Sequence, residues 1–343
     1  MSELRDLLVE TAERMLGDLC PPAAVNAADP GGLAIELWQA VEASGLHRAC
    51  LTEETGGAGL SLAEALPMVR AFARFAAPVP IAETLLAGVL LQRAGLALPE
   101  GVVTLAETAV SLSRQASGRA RAPYARHASH VVLWHAEGAE LRIALLNTAG
   151  IPLKLAENMA GEPRDGLDLA EAPLVAAGSM SMSAEDLLAQ GALLRAAQLV
   201  GAMEKTLDLA QEHVTTRVQF GRPLGAFQAV QHSLALAFGE SAAARAAVEA
   251  AGALSAERPL FLAVAAAKIR AGKAGTAVAR AAHQALGAMG YTHEHPLHQY
   301  TRRIWSWRDE FGSEAEWARR LGAVARSKSA EQFWRWITDK GVA

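Results

Sequence analysis

Apolar residues along this chain fall mostly at three- and four-residue steps, the spacing that gathers them on one face of a helix. Leu4, Leu7, Leu8, Ala12, Met15, Leu16 and Leu19, with acids between them, predict an amphipathic helix over residues 1–19. The same spacing predicts helices over 33–44, 62–75 and 81–94, separated by glycine or proline. Ser61, with Glu64 three residues later, has the form of a capping box before the helix over 62–75. The longest pattern begins near Ala192, where Leu193, Ala196, Ala197, Val200, Met203, Leu207, Ala210 and Val214 share a face. It stops at Arg217-Val218-Gln219-Phe220-Gly221-Arg222-Pro223. There Gly221 can take the left-handed conformation of a helix C-terminus and Pro223 bars further helix. Residues 227–252 and 259–287 are helical again and rich in alanine, which permits close helix contacts. Residues 331–337 read as a terminal amphipathic helix.

From about Gly101 to Gly178 the texture changes. Residues 102–105, 131–134 and 141–146 are short apolar runs of β-branched and leucyl residues, punctuated by Gly, Pro and Asn. That is the pattern of a compact β domain. The expected organisation is mainly α with an inserted β domain: a helical domain over 1–100, a middle β domain over 101–180 and a helical bundle over 181–343.

Composition adds limits. A chain of 343 residues, 51% hydrophobic, can bury substantial cores in two or three domains. Aromatic content of only 5% with abundant alanine favours tightly packed helices. Lys plus Arg number 32 against 36 acids, with no long basic run, so nucleic-acid binding has no electrostatic support. Cys20 and Cys50 lack metal-ligand spacing and read as buried thiols in a reducing cytosol. The first helix lacks the basic start and unbroken apolar centre of a signal peptide, and no window is apolar enough to span a bilayer. A cytoplasmic protein is expected.

The candidate chemistry begins at the end of the long helix. Arg217 carries a planar fork of donors suited to phosphate, Gln219 can donate, Phe220 offers a flat apolar face and Gly221 allows close backbone approach. Together they suit a nucleotide pyrophosphate; equally, they make a plain C-cap with basic residues answering the helix dipole. Arg217-x-Gln219-Phe220-Gly221-x-x-Leu224-x-x-Phe227-Gln228 resembles the R-x-x-F-G-x-x-[IL]-x-x-[FH]-Q signature of the acyl-CoA dehydrogenase family. A second block, Gln284-Ala-Leu-Gly287-Ala-Met-Gly290-Tyr291-Thr-x-Glu294-x-Pro296-Leu297, is similar to that family's Q-x-x-G-G-x-G-[YF]-x-x-E-x-P-[VL], in the expected order. The resemblance implies the family's helix–β–helix fold with a four-helix C-terminal bundle. It also implies FAD, held across a subunit boundary by Arg217, Gln219, Phe220, Gly221 and Gln228 of one block and Gln284, Gly287 and Ala288 of the other. Ala288 stands where the family has glycine. The turn around Gly56, Gly57 and Gly59 resembles the family's P-E-x-x-G-G-x-G turn with Thr52 for proline, and reads as architectural. The middle domain departs most: the usual flavin-ring segments are absent, with Leu105-Ala-Glu107-Thr108 at best a remnant.

The implied activity is α,β-dehydrogenation of an acyl-CoA thioester, with electrons passed to an electron-transfer flavoprotein by a homodimer, a homotetramer or a heterotetramer with a second family subunit. Family members remove the α-proton with a carboxylate, commonly a glutamate near the Arg302-to-Glu314 stretch. Counting without gaps from Gln284 puts Phe311 at that position and Gly312 after it; Glu310 falls one residue early. Glu310 is the first candidate base and Asp309 and Glu314 are weaker ones. The competing reading is an acidic face pairing with Arg302, Arg303 or Arg308. Other members carry the base on the long helix, near Gly191 here, which has no side chain. Either the base has shifted or a partner subunit supplies it. Three alternatives stay open: a base-lacking subunit of a heteromeric dehydrogenase, a flavin monooxygenase on the same scaffold, and a helical binding protein without FAD. His283, His293, His295 and His298 cluster near the second block without a completing Cys or carboxylate set, so no metal is expected. Trp305, Trp307, Trp317, Trp334 and Trp336 are expected to pack the bundle or a subunit contact.

Overall fold

The first helix, α1 (Glu3–Leu19), buries Ala12 and Leu16 and leaves its acids outside. The computed structural model of the protein describes residues 3–108, 115–170, 172–255 and 261–338. They form two compact units, residues 1–69 with 77–190, and residues 70–76 with 191–343.

In the first unit α1 is followed by α2 (Pro22–Ala28), α3 (Ile35–Ala43), α4 (Leu66–Arg74) and α5 (Ile81–Arg93). The predicted capping box is formed: the Ser61 N–H donates to Glu64 Oε2 at 2.9 Å, and the Glu64 N–H donates to Ser61 Oγ at 3.2 Å. It closes the turn before α4, so the regular helix starts at Leu66 and not at Leu62. The glycine turn is architectural, since a Cβ on Gly57 would stand 2.1 Å from the Leu51 carbonyl oxygen. Helix α5 is buried from Ile81 to Leu91, the all-round burial of a central helix. Its Thr84 hydroxyl donates to the Val103 carbonyl of the following strand at 2.6 Å.

The strands are β1 (Val103–Glu107), β2 (Gln115–Ala116), β3 (Arg119–Pro123), β4 (His130–Glu137), β5 (Glu140–Asn147), β6 (Leu153–Lys154), β7 (Arg164–Asp168) and β8 (Ala172–Ser181). They make a five-stranded sheet, β1-β4-β5-β8-β2, and a three-stranded one, β3-β7-β6. Among the described residues of these sheets only β1 and β4 pair in parallel. Ala106, Val131, Leu133, Ala144, Leu146 and Leu167 lie in their shared core. The apolar runs at 102–105, 131–134 and 141–146 correspond to β1, β4 and β5; β3, β7 and β8 carry no such run. Cys20 and Cys50 are buried and form no disulfide with each other, and burial pushes the Cys50 thiol up to about 12.

The second unit is carried by α6 (Ala184–Thr216), which contributes to it from Gly191 onward. After a hairpin of β9 (Val218–Gln219) and β10 (Arg222–Pro223) come α7 (Gln228–Leu254), α8 (Phe261–Leu286), α9 (Leu297–Trp307), α10 (Glu314–Arg326) and α11 (Ala330–Thr338). The expected start of α8 at Pro259 lies outside the described residues. Small residues let these elements meet: a Cβ on Gly201 would stand 2.2 Å from the Arg70 carbonyl oxygen, and one on Gly275 would stand 2.7 Å from Ile304. Trp307 and Trp317 are buried within this unit, whereas Trp334 is exposed on α11. No helix among the described residues is long and apolar enough to cross a membrane. The architecture is mainly α with a small sheet domain inserted between the N-terminal helices and the C-terminal bundle.

Candidate active site

The first predicted motif is built differently from a helix cap. Helix α6 ends at Thr216, and Phe220 and Gly221 form the corner of the β9–β10 hairpin, both with positive φ (51° and 77°). Two left-handed residues give the turn whose twist matches a two-residue hairpin. Gly221 is thus left-handed, as its sequence context predicts, but at a hairpin corner, because the chain pairs back on itself: the Leu224 N–H donates to the Arg217 carbonyl at 2.9 Å. The Phe220 ring is 90% exposed and meets Phe227 edge-on at 6.1 Å, and the Arg222 guanidinium lies 4.1 Å over the Phe227 ring. Arg217, Gln219 and Gln228 are exposed, and no ion pair ties Arg217 to the described residues.

The second motif closes α8. Gly287 has φ of 59° and opens a 3-10 turn over Gly287–Tyr291. His283 stacks on Tyr291 at 4.4 Å, and its Nε2 lies 3.1 Å from the Thr301 hydroxyl. Gln284, Gly287 and Ala288 face outward. One apolar cluster holds both motifs at the same end of the bundle: Ala210, Val214, Leu234, Ala282, Leu286 and Leu297, with Leu224 packed against them. No heavy atom lies within 4 Å of where a Cβ would stand on Gly221 or Gly287, so the space beside both turns is open. Open backbone turns, a guanidinium without a carboxylate partner among the described residues and an exposed aromatic ring fit the pyrophosphate and flat rings of a dinucleotide. The histidines do not converge. His293 meets His298 edge-on at 4.9 Å, His295 Nδ1 accepts from the Leu297 N–H at 3.2 Å, and no group of three metal-ligating side chains occurs among the described residues.

A second site lies in the turn after α9. Lys268 of α8 is fully buried, and its ammonium donates to the carbonyls of Trp307 at 3.1 Å and Arg308 at 2.8 Å. That places a cation at the negative end of α9. Burial pulls the Lys268 amine down to about 7, opposed by the nearby Glu310 carboxylate. The Trp317 indole N–H donates to the Phe311 carbonyl at 2.9 Å, and Ser313 caps α10. Phe311 itself has φ of 53°, a conformation that non-glycine residues seldom adopt.

Glu310 Oε2 lies 2.6 Å from Arg195 Nη2. Arg195 is 2% exposed and also bonds Gln198 on its own helix. Asp309 and Glu314 both lie near Arg308, and Glu314 bonds it directly. The carboxylates at 309 and 314 therefore pair as the acidic-face reading expects, whereas Glu310 takes an arginine from α6 that sequence reasoning did not single out. A sequence signal for it exists: Arg195 interrupts the apolar run Ala192-Leu193-Leu194…Ala196-Ala197, as Lys268 interrupts Ala265-Ala266-Ala267.

The two positions nominated for a base, Phe311 and Gly191, are in contact. A Cβ on Gly191 would stand 2.1 Å from Phe311 Cδ1, 2.3 Å from Cε1 and 2.6 Å from Cγ. This place and the Arg217 turn lie about 39 Å apart along α6 at the rise of an α-helix.

Sequence comparison matches the acyl-CoA dehydrogenase N-terminal domain to residues 2–96 and the C-terminal domain to residues 181–320. The acyl-CoA dehydrogenase IpdE2 of Mycolicibacterium smegmatis is 30% identical over 329 residues, 94% of this chain and 99% of that protein. Among solved structures, the ChsE4-ChsE5 complex from Mycobacterium tuberculosis superposes with a TM-score of 0.86 at 22% identity, covering 96% of this chain and 99% of that one. A glutaryl-CoA dehydrogenase from Mycobacterium smegmatis in complex with FADH2 superposes with a TM-score of 0.78 at 14% identity, covering 96% of each.

Proposed function

The chain belongs to the acyl-CoA dehydrogenase family of flavin oxidoreductases, and from that premise we propose that it is one subunit of an FAD-dependent dehydrogenase made of two different family chains. In this reading the second chain supplies the carboxylate that removes the α-proton of an acyl-CoA thioester. Bound FAD supplies the hydride acceptor for the β-carbon, and an electron-transfer flavoprotein takes the electrons onward. Arg217 and Gln219 would hold the pyrophosphate, with Phe220, Gln228, Gln284 and the backbone at Gly287 and Ala288 as the other residues that would hold the dinucleotide.

The observation that carries the two-chain reading is the Glu310–Arg195 pair. Glu310 is the carboxylate next to Phe311 in the chain, and one of its oxygens is committed to a guanidinium that is almost wholly buried. Depriving a buried charge of its partner costs about 3–5 kcal/mol, so Glu310 stays with Arg195 and does not collect a proton from substrate. The other two base positions hold a phenyl ring and a hydrogen. That a similar structure, the ChsE4-ChsE5 complex, is made of two chains supports the same reading.

The test is Glu310→Gln in the flavin-loaded protein with and without a candidate partner chain. Unchanged bleaching of the flavin by acyl-CoA in the mixed assembly is expected. Anaerobic bleaching of the chain alone, abolished by Glu310→Gln while the yellow colour stays, would make Glu310 the base and end the two-chain reading. A colourless chain that FAD cannot reconstitute would end the flavoprotein reading for the isolated subunit.

A further inference from the structure

We infer that Phe311 is a plug that closes this subunit's own acyl site, so that the chain, even with flavin in place, takes no acyl thioester beside its own Gly191. The inference rests on the two-chain reading above and extends it from a missing base to a closed site.

Gly191 leaves a notch in the wall of α6, and the Phe311 ring lies in it. All three closest atoms to a Cβ on Gly191 belong to that ring, including Cγ at its root. The contact is therefore made by the body of the side chain and not by a tip that can swing away. The ring is held from several sides. Lys268 takes the carbonyls of Trp307 and Arg308, and Trp317 takes that of Phe311 itself. The neighbouring Glu310 side chain is tied to Arg195, whose guanidinium lies 5.8 Å from the centre of the ring. Gly312 follows at φ of 91°, and a Cβ there would stand 2.8 Å from the Trp317 indole nitrogen, so the turn admits no larger residue at that point. Phe311 is thus fixed in a left-handed conformation that non-glycine residues seldom adopt. The phenyl ring has no group to accept a proton and fills the volume beside the helix where a reacting acyl carbon would lie.

The experiment is equilibrium dialysis of octanoyl-CoA against the full-length, FAD-loaded chain. The wild-type chain should bind none. Phe311→Ala should bind about one octanoyl-CoA per chain, at least about tenfold more tightly than wild type. Phe311→Leu, which refills the notch and controls for folding, should stay closed. Wild-type protein that binds one octanoyl-CoA per chain overturns the inference, as does a folded, yellow Phe311→Ala protein that still binds none. These outcomes read binding, whereas the Glu310→Gln experiment reads flavin reduction, so failure of the plug and failure of the two-chain reading are told apart.

Discussion

Adding a single methyl at Gly191 tests the contact on which the closed site depends. Carbon atoms in van der Waals contact sit about 3.5–4.0 Å apart, and a Cβ at this position would stand 2.1 Å from a ring carbon of Phe311. The ring or the helix must therefore move by about 1.5 Å, and overpacking of this kind costs about 1–3 kcal/mol. Against it, Gly→Ala inside a helix gains about 1 kcal/mol of helix propensity. Gly191→Ala should accordingly destabilise the wild-type chain by up to about 2 kcal/mol, the difference of those terms. In a Phe311→Ala background the obstacle is gone and only the gain remains, so the same substitution should stabilise by up to about 1 kcal/mol. The sign reversal is the signature, and the cycle should return an interaction of about 1–3 kcal/mol. Urea unfolding of the flavin-free protein, followed by tryptophan fluorescence, is the assay. Trp307 and Trp317 are both buried in the same unit as Gly191 and Phe311, and removing flavin avoids stabilisation by ligand mass action. Additivity within about 0.5 kcal/mol, or stabilisation by Gly191→Ala while Phe311 is present, would refute the packing argument.

Three further outcomes are expected. Arg217→Ala should weaken FAD binding by roughly 10–100-fold, the loss of charge-assisted hydrogen bonds worth about 1.5–3 kcal/mol. Flavin retained after dialysis measures it, and undiminished retention would remove Arg217 from the cofactor site. Ser61→Ala should cost about 1 kcal/mol at neutral pH by deleting half of the capping box. The Ser61 N–H and hydroxyl hold the Glu64 carboxyl below its ordinary range, so that stabilisation is present above the unfolded carboxyl pKa and fades as pH falls through the folded one. The gap between Ser61→Ala and wild type in urea midpoint should narrow in acid, and a gap that widens there would contradict the assignment. Lys268 behaves in the opposite sense to a salt-bridged lysine: burial brings it down to about 7 from 10.5, so the unfolded chain holds more protons between those values. Wild-type stability should rise from pH 7 towards 10 relative to Lys268→Met, by at most about 1.4 kcal/mol per pH unit, and parallel pH profiles would show that Lys268 keeps its proton in the fold.

The helices were legible because their apolar residues keep the helical step, and β4 and β5 because leucine, valine and isoleucine run together in them. Strand β8 was not, since alanine, glycine, serine and proline have low strand propensity. It is extended because it pairs along β5 and alternates exposed with more buried positions. Strand β3 hid for a related reason: its buried positions are Ala120 and Ala122, too small to stand out between arginines. At the site, turn chemistry marked Gly221 as left-handed, and it is. The hairpin was hidden because a pairing of two residues on each side leaves no periodicity. The Arg195–Glu310 pair was hidden for a deeper reason. It joins a helix to a turn far along the chain, and a lone arginine in an apolar run announces a buried partner without saying which.

Helix α6 also explains how a flavin grip and a filled reacting site can coexist in one chain. The Arg217 turn and the Gly191–Phe311 contact lie about 39 Å apart along it, well beyond the reach of one extended flavin dinucleotide. A flavin held at Arg217 therefore presents its reacting ring somewhere other than beside this chain's own Gly191. In the proposed assembly that place is the partner chain, which has the carboxylate. The phenyl ring at 311 then obstructs nothing that Arg217 serves, and the two ends of α6 are free to differ in what they retain. The exposed Phe220, the open glycine turns and an arginine without a carboxylate partner among the described residues all suit a retained flavin grip. Their presence in a chain whose own reacting site is closed is what the proposed assembly requires of a subunit that completes the other chain's cofactor site.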